Sequence, residues 1–390
     1  MRILIIIGTR PEAIKMAPVI RQLKQAGDGV ETFVCATAQH RQMLDQVLVL
    51  FGIRPDIDLN LMEERQTLAS FTARAITAVH GVVDTIRPDI VLVQGDTTTA
   101  FAAALAAFYR QVPVGHVEAG LRTSTQYCPF PEEINRRLIG SLAAYHFAPT
   151  ESTAAALLRE GVDKETIFVT GNPVVDALKW IVAFAPSPET IRFLESVGIV
   201  DDPTTSASTR TILVTAHRRE NHGDVLAEIC LALRSIVERN ENVQIVYPVH
   251  LNPEVQDIVG PTLGGRSRIH LVAPLPYSSF VHLMQRSHLV LTDSGGLQEE
   301  APALGKPVLV MRRETERVEG LIAGSARLVG TSSAVIVEEV ERLLRDDDAY
   351  QAMATSTALY GDGHAAERIS AITQSQLRHH DVRHSTIVAT

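Results

Sequence analysis

Residues 90–108 read IVLVQGDTTTAFAAALAAF: an apolar run, a Gly-Asp turn, then an alanine-rich stretch of helical length. A run of β-branched and Leu residues with no polar alternation is the pattern of a parallel strand buried on both faces. Four other short apolar runs also end in chemically loaded residues. ILIII (3–7) leads into Gly8-Thr9-Arg10, VGHV (114–117) into Glu118, ILVT (212–215) into Ala216-His217-Arg218-Arg219, and LVLT (289–292) into Asp293-Ser294-Gly295-Gly296. Ligands of open α/β sheets bind outside the carboxyl ends of such strands. Acids, a histidine and arginines gathered at those ends suit an enzyme acting on an anionic substrate.

Strand-like and helix-like segments alternate along almost the whole chain, the mark of βαβ units. Strands are expected near 3–7, 32–36, 90–94, 114–117, 145–148 and 167–169, then near 212–215, 243–247, 269–272, 289–292, 308–310 and 326–329. Helices are expected near 11–26, 40–50, 66–86, 97–110, 132–143 and 151–160, then near 224–239, 277–286, 296–304 and 333–346. The stretch 170–190, with Gly171, Pro173, Pro186 and Pro188, reads as a hinge, and 201–210 (DDPTTSASTR) as a mobile surface loop. The expected architecture is α/β, with two Rossmann-like, doubly wound domains at 1–172 and 173–363 and their strand ends facing one interdomain crevice. Residues 381–390 carry no periodicity and read as a frayed tail.

At 390 residues the chain exceeds one comfortable core, so two domains are the default. Its formal net charge of −9 argues against nucleic acid as partner, because binders of phosphate backbones are usually basic. The three cysteines, Cys35, Cys128 and Cys230, lie far apart without metal-type spacing and read as reduced thiols. The chain opens directly on a strand, without signal-peptide organisation. No apolar stretch reaches the roughly 18–20 residues that span a bilayer. A soluble cytoplasmic protein with no membrane contact of its own is the expectation.

Gly8-Thr9-Arg10-Pro11-Glu12 stands where a dinucleotide fold carries its glycine fingerprint, yet it matches neither G-x-G-x-x-G nor the P-loop. It offers Arg10 and, a helical turn on, Lys15, either for an anion or as surface cations. Ser294-Gly295-Gly296 opens a helix whose N–H groups can point at a phosphate; the alternative is a helix capped by Asp293 or Ser294. Glu300, one turn further, can accept the hydroxyls of a ribose. Arg317 adds charge at the same rim, although spacing does not rank it against Arg312 and Arg313.

Asp96 is either an acid/base group or the cap of the helix that follows. Glu118 comes directly after a buried strand, where a carboxylate is costly unless paired or used; Arg122 is a candidate partner. Glu132 and Glu133 are either acid/base groups or the acidic first turn of a helix opened by Pro131. His217 can hold a phosphate, move a proton or be structural. Tyr277 and Phe280 can stack on a base or fill the core. His116, His222, His250, His270 and His282 are scattered without metal-type spacing, so no metal is expected.

Taken together, GTRPEAIKMAP, TAQHRQMLDQV, VLVQGDTTTAFAAALAAF, VGHVEAGLRT, PFPEEINRRL, VTGNPVVDAL, TAHRRENHG, TDSGGLQEEAPALGKPVLVMR and YGDGHAAERI resemble the non-hydrolysing UDP-N-acetylglucosamine 2-epimerases, in order and at similar spacing, over about residues 1–375. The resemblance implies a GT-B-like fold: two Rossmann-like domains with the active site in the interdomain cleft, and a C-terminal helix, about 364–380, returning to the first domain. It implies reversible epimerisation of UDP-GlcNAc to UDP-ManNAc, by anti elimination of UDP to a 2-acetamidoglucal and re-addition of UDP. The product would supply ManNAc units for surface polysaccharide.

Matched by motif, Asp96, Glu118 and Glu132 resemble the family's acid/base carboxylates, and His217 its phosphate-side histidine. Departure of UDP needs cations on the pyrophosphate, for which Arg10, Lys15, His217 and the Ser294–Gly296 helix end are the candidates, while Phe280, Glu300, Arg317 and the backbone at Leu275 resemble the family's uridine or phosphate contacts. No cofactor is implied, and a homodimer is. Some bacterial members are activated by a second UDP-GlcNAc; Gln39, His40 and Gln46 lie in the segment resembling that region, with Met43 where a polar residue would be expected. The rival readings are a hydrolysing relative that releases ManNAc and UDP, a GT-B glycosyltransferase, and a UDP-sugar-binding regulator.

Overall fold

Ile3 through Ile7 are wholly buried, as a strand covered on both faces must be. In the computed structural model they form β1 (Arg2–Ile7), followed by β2 (Glu31–Ala36), β3 (Ile57–Asp58), β4 (Ile90–Gln94), β5 (Val114–Val117), β6 (Tyr145–Ala148) and β7 (Ile167–Val169). These make one parallel sheet of order β3-β2-β1-β4-β5-β6-β7, which reverses direction of growth between β1 and β4. The structure describes residues 1–27, 29–38, 41–63, 66–127, 129–200, 209–355 and 358–387.

Helices α1 (Arg10–Lys24), α2 (Arg41–Leu50), α3 (Leu68–Ile86), α4 (Thr98–Tyr109), α5 (Glu132–Leu142), α6 (Glu151–Arg159) and α7 (Pro173–Val182) accompany this sheet. Ala100, Ala103, Ala104 and Ala107 of α4 share a core with Leu4, Ile6, Val91 and Val93. Their small side chains let α4 lie close to the sheet while it also packs against α3 and α5.

A second parallel sheet comprises β8 (Arg210–Thr215), β9 (Val243–Pro248), β10 (Ile269–Val272), β11 (Leu289–Thr292), β12 (Val308–Val310) and β13 (Ala326–Leu328), in the order β10-β9-β8-β11-β12-β13. Its helices are α8 (Pro188–Ser196), α9 (Asp224–Arg239), α10 (Pro253–Leu263), α11 (Tyr277–Arg286), α12 (Leu297–Ala303), α13 (Val318–Ile322), α14 (Ser333–Arg345) and α15 (Asp347–Ala354). The chain then returns to the first sheet's unit through α16 (Ala365–Ile387), which packs on α1. Asp176 receives the start of α16, its Oδ1 accepting from the N–H of Ala366 at 2.8 Å. A carboxylate there satisfies orphan N–H groups and complements the helix dipole.

The chain divides into two units, Met1–Lys179 with the chain from Tyr360 onward, and Trp180–Leu359. The division therefore falls inside α7 rather than at 172, and at 359 rather than 363. The stretch read as a hinge contains α7 and the start of α8, because Pro173 and Pro188 occupy first-turn positions, where a missing N–H costs nothing. The tail expected from 381 continues as helix to Ile387, with no Gly or Pro after His364 to stop it, and 388–390 lie outside the described residues. Of the expected loop 201–210, residues 201–208 also lie outside them, and Arg210 begins β8. Among the described residues, no helix is long and apolar enough to cross a membrane.

Candidate active site

In the first unit, the turns after β1, β4 and β5 carry the candidate residues. Glu118 is 6% exposed and has φ +66°, in the left-handed region that costs a non-glycine residue about 1–3 kcal/mol. Its Oε2 accepts from both Lys15 Nζ on α1 and Gln94 Nε2 at the end of β4. Arg122, a candidate partner for Glu118 on spacing, instead grips Glu160 in a two-pronged pair at 2.7 and 2.6 Å.

Asp96 does not cap α4. Thr97 does, its Oγ1 accepting from the N–H of Ala100 at 3.0 Å. The Asp96 carboxylate accepts from Arg136 Nη2 at 2.6 Å, and its carbonyl accepts from Asn135 Nδ2 at 2.9 Å. Both donors lie on α5, so the turn after β4 is tied to the helix whose first residue is Glu132. The two neighbouring acids of that helix then separate. Glu133 is fully buried, accepting from Arg137 Nε at 2.7 Å and from the Thr123 N–H at 3.1 Å, whereas Glu132 is only half-buried.

Glu12 escaped the sequence reading. It is wholly buried, accepting from the Gly8 N–H at 3.0 Å and from Thr97 Oγ1 at 2.8 Å, so it joins the turn carrying Arg10 to the turn carrying Asp96. Burial raises its carboxyl to about 7, partly offset by hydrogen bonds from Thr9, Thr97 and Gly8. An acid in the first turn of the first helix was the available signal. His116 was also passed over. Its Nε2 lies 2.7 Å from the Gly95 carbonyl, which can only accept, so Nε2 carries the proton. Burial lowers this histidine to about 3, leaving it neutral beneath the Gly95-Asp96 turn.

In the second unit, β8 and β11 are neighbours at the sheet's own point of reversal. Asp293, which ends β11, is wholly buried and does not cap α12; Gly296 occupies the cap position without a side-chain bond. Asp293 Oδ2 instead accepts from the N–H groups of His217 and Arg218, both at 2.8 Å. His217 stacks on His250, with ring centroids 5.5 Å apart and planes 11° from parallel.

Glu300 accepts from Tyr277 Oη at 3.1 Å, which brings the start of α11 to α12 and makes Tyr277 a buried positioning group. Leu275 and Phe280 flank that tyrosine and are half-buried. The structure also ranks the three arginines. Arg313 is exposed, and Arg312 is committed to Glu220 at 2.6 Å and Glu316 at 3.0 Å. Arg317 pairs with Glu299 at 2.8 Å and with Glu316, and its guanidinium lies against Gly295. Although burial works the other way, Arg317 and Arg312 hold the Glu316 carboxyl well below the usual carboxylate range.

Each unit thus gathers its own share of the expected residues: Arg10, Lys15, Asp96, Glu118 and Glu132 in the first, and His217, Leu275, Phe280, Ser294–Gly296, Glu300 and Arg317 in the second. Gln46 is exposed on α2, while Gln39 and His40 lie outside the described residues. Among the described residues, no three His, Cys, Asp or Glu side chains gather as a metal site.

The family model described as UDP-N-acetylglucosamine 2-epimerase matches residues 21–374. The UDP-N-acetylglucosamine 2-epimerase of Salmonella typhimurium is 52% identical over 369 residues, 95% of this chain and 97% of that protein. The crystal structure of UDP-GlcNAc 2-epimerase from Neisseria meningitidis bound to UDP-GlcNAc has a TM-score of 0.89 at 45% identity, covering 96% of this chain and 100% of that one. The Methanocaldococcus jannaschii UDP-GlcNAc 2-epimerase in complex with UDP-GlcNAc and UDP has a TM-score of 0.83 at 32% identity, with the same coverage of 96% and 100%.

Proposed function

The chain belongs to the UDP-N-acetylglucosamine 2-epimerase family, and we propose that it interconverts UDP-GlcNAc and UDP-ManNAc without net hydrolysis. The C2 proton of the sugar is not acidic by itself. As the C1–O bond to UDP breaks, C1 gains oxocarbenium character, and a base removes the C2 proton to leave the 2-acetamidoglucal. Return of a proton to the opposite face of C2, with UDP re-forming the C1–O bond, completes the inversion. Oxidation state is restored within the two steps, so the chemistry calls for no nicotinamide.

Two acid/base groups are needed for two faces. The observation that carries the reading is that Asp96 and Glu118 end the adjacent strands β4 and β5, each held by a cation, Arg136 and Lys15 respectively. Glu132 opens the helix that holds Asp96, and is the third candidate. The second unit's share of the work is UDP: His217 and Ser294–Gly296 for the diphosphate, with Leu275, Phe280, Glu300 and Arg317 for the remainder of the nucleotide. Arg10 adds charge for the diphosphate. Lys15, paired with Glu118, serves that carboxylate first. The family resemblance further supports a cytoplasmic homodimer feeding surface polysaccharide.

Proton NMR of the purified protein with UDP-GlcNAc in D2O tests this. UDP-ManNAc with deuterium at C2 of both sugars and little free UDP is expected. Free ManNAc with stoichiometric UDP would show the hydrolysing reaction instead, and no exchange at all would favour a glycosyltransferase.

A further inference from the structure

We propose that Asp293 is a positioning residue for His217, fixing its loop with one carboxylate oxygen and its ring with the other, so that Nε2 is the atom offered to the substrate's diphosphate. This rests on the reading that His217 works on the UDP moiety.

The carboxylate is divided between two tasks. Oδ2 accepts three hydrogen bonds, from the N–H groups of His217 and Arg218 at 2.8 Å each and from Asn221 Nδ2 at 3.1 Å. Asn221 also donates to the Met311 carbonyl at 3.2 Å, which anchors it to the segment after β12. Oδ1 is buried and accepts no hydrogen bond among the described residues; it faces His217 Nδ1 at 3.4 Å. A buried carboxylate oxygen without a donor is costly, and a protonated Nδ1 turned slightly toward it is the group that would satisfy it. The tautomer of a histidine is set by the bond its other nitrogen makes. With the proton on Nδ1, Nε2 is left to face a ligand.

The surroundings leave Asp293 this task. His250 stacks on the ring and restricts its plane. His222 Nε2 lies 3.2 Å from the His217 carbonyl, while its Nδ1 is taken by Glu254 at 2.6 Å. Burial, Arg218, His250 and His222 all push the His217 imidazole toward its neutral form, and Asp293 alone among the named neighbours favours the cation. To neutralise or protonate a departing diphosphate, the ring must take up a second proton, on Nε2, and Asp293 is the named neighbour that favours the resulting cation.

Histidine-selective 15N NMR of the full-length protein tests the proposal, with His217→Asn identifying the His217 signals. In the wild type, the neutral ring should carry its proton on Nδ1. In Asp293→Asn, which keeps one oxygen for the two backbone N–H groups, the proton should move to Nε2 and the ring should titrate at lower pH. Turnover should fall about 10²-fold, the scale of a lost acid/base function, with little change in KM. A purely structural role for Asp293 would leave tautomer and titration unmoved, and that result overturns the proposal. Should Asp293→Asn fail to fold, the wild-type tautomer decides alone: a neutral ring protonated on Nε2 overturns it. Unchanged turnover and UDP binding in His217→Asn would instead remove the site reading beneath the proposal, an outcome distinct from either NMR result.

Discussion

Lys15 on α1 and Glu118 at the end of β5, 103 residues apart in sequence, form an ion pair in which both side chains are nearly inaccessible to solvent. Removing one partner of a buried pair leaves the other uncompensated, at a typical cost of about 3–5 kcal/mol. Lys15→Met should therefore lower the urea midpoint strongly and depress turnover, because Glu118 loses the cation that holds it. A variant as stable as wild type would show that this pair adds nothing to the fold.

Asp96→Asn, Glu118→Gln and Glu132→Gln should each reduce turnover by about 10²–10⁴-fold, the usual share of a general acid or base. UDP affinity, measured calorimetrically, should stay close to wild type. Deuterium uptake at C2 should fall in parallel. Three fully active variants would remove the acid/base assignment.

Glu12 should make stability depend on pH. Burial first, against its hydrogen bonds, raises its carboxyl from 4.5 to about 7. A folded value above the unfolded one means the stabilising contribution is complete below about pH 4.5 and is lost as pH rises through about 7. Glu12→Gln has no such loss. Unfolding free energies from urea titrations at pH 5 and pH 8 should shift in the variant's favour on going to the higher pH, by up to about 3 kcal/mol relative to wild type.

Gly295→Ala probes the second unit. A Cβ there would lie 3.0 Å from Arg317 Nη1 and 3.2 Å from Glu316 Oε1, closer than a methyl group is normally accommodated. Arg317 is not free to step aside, since Glu299 holds its Nε at 2.8 Å. Displacing the guanidinium should weaken UDP binding about tenfold, or ~1.4 kcal/mol, and lower the thermal midpoint as well, because Glu299 and Glu316 are buried beside it. Titration with UDP measures the first and scanning calorimetry the second.

The principal strands of both sheets were legible because each is an unbroken apolar run bounded by turn residues. The two-residue β3 was not, since Ile57–Asp58 is too short to carry a period. The division between the units falls in the stretch read as a hinge, but helices α7 and α8 were not foreseen there, because proline counts as a breaker inside a helix but as a starter at its first turn. Helices α10, α13 and α15 were also missed; two are short, and α10 contains both Gly260 and Pro261. Asp96, Glu118, His217 and Ser294–Gly296 could be named from their places at strand ends, and Leu275 only from the family resemblance, but their partners could not be named from either. Spacing suggested Arg122 for Glu118, whereas packing supplied Lys15 and Gln94. Asp293 looked like a cap because nothing local shows that a strand neighbour brings His217 to it.

Helix α16 completes the first unit from the far end of the chain, with Ile369, Thr373 and Leu377 buried and the helix packed against α1. The second unit is one continuous stretch, Trp180–Leu359. During synthesis the ribosome therefore releases everything the second unit needs before it releases the last piece of the first. The earlier-made unit waits with one side of α1 bare until the final helix emerges, so a stalled or prematurely ended nascent chain injures the portion translated first.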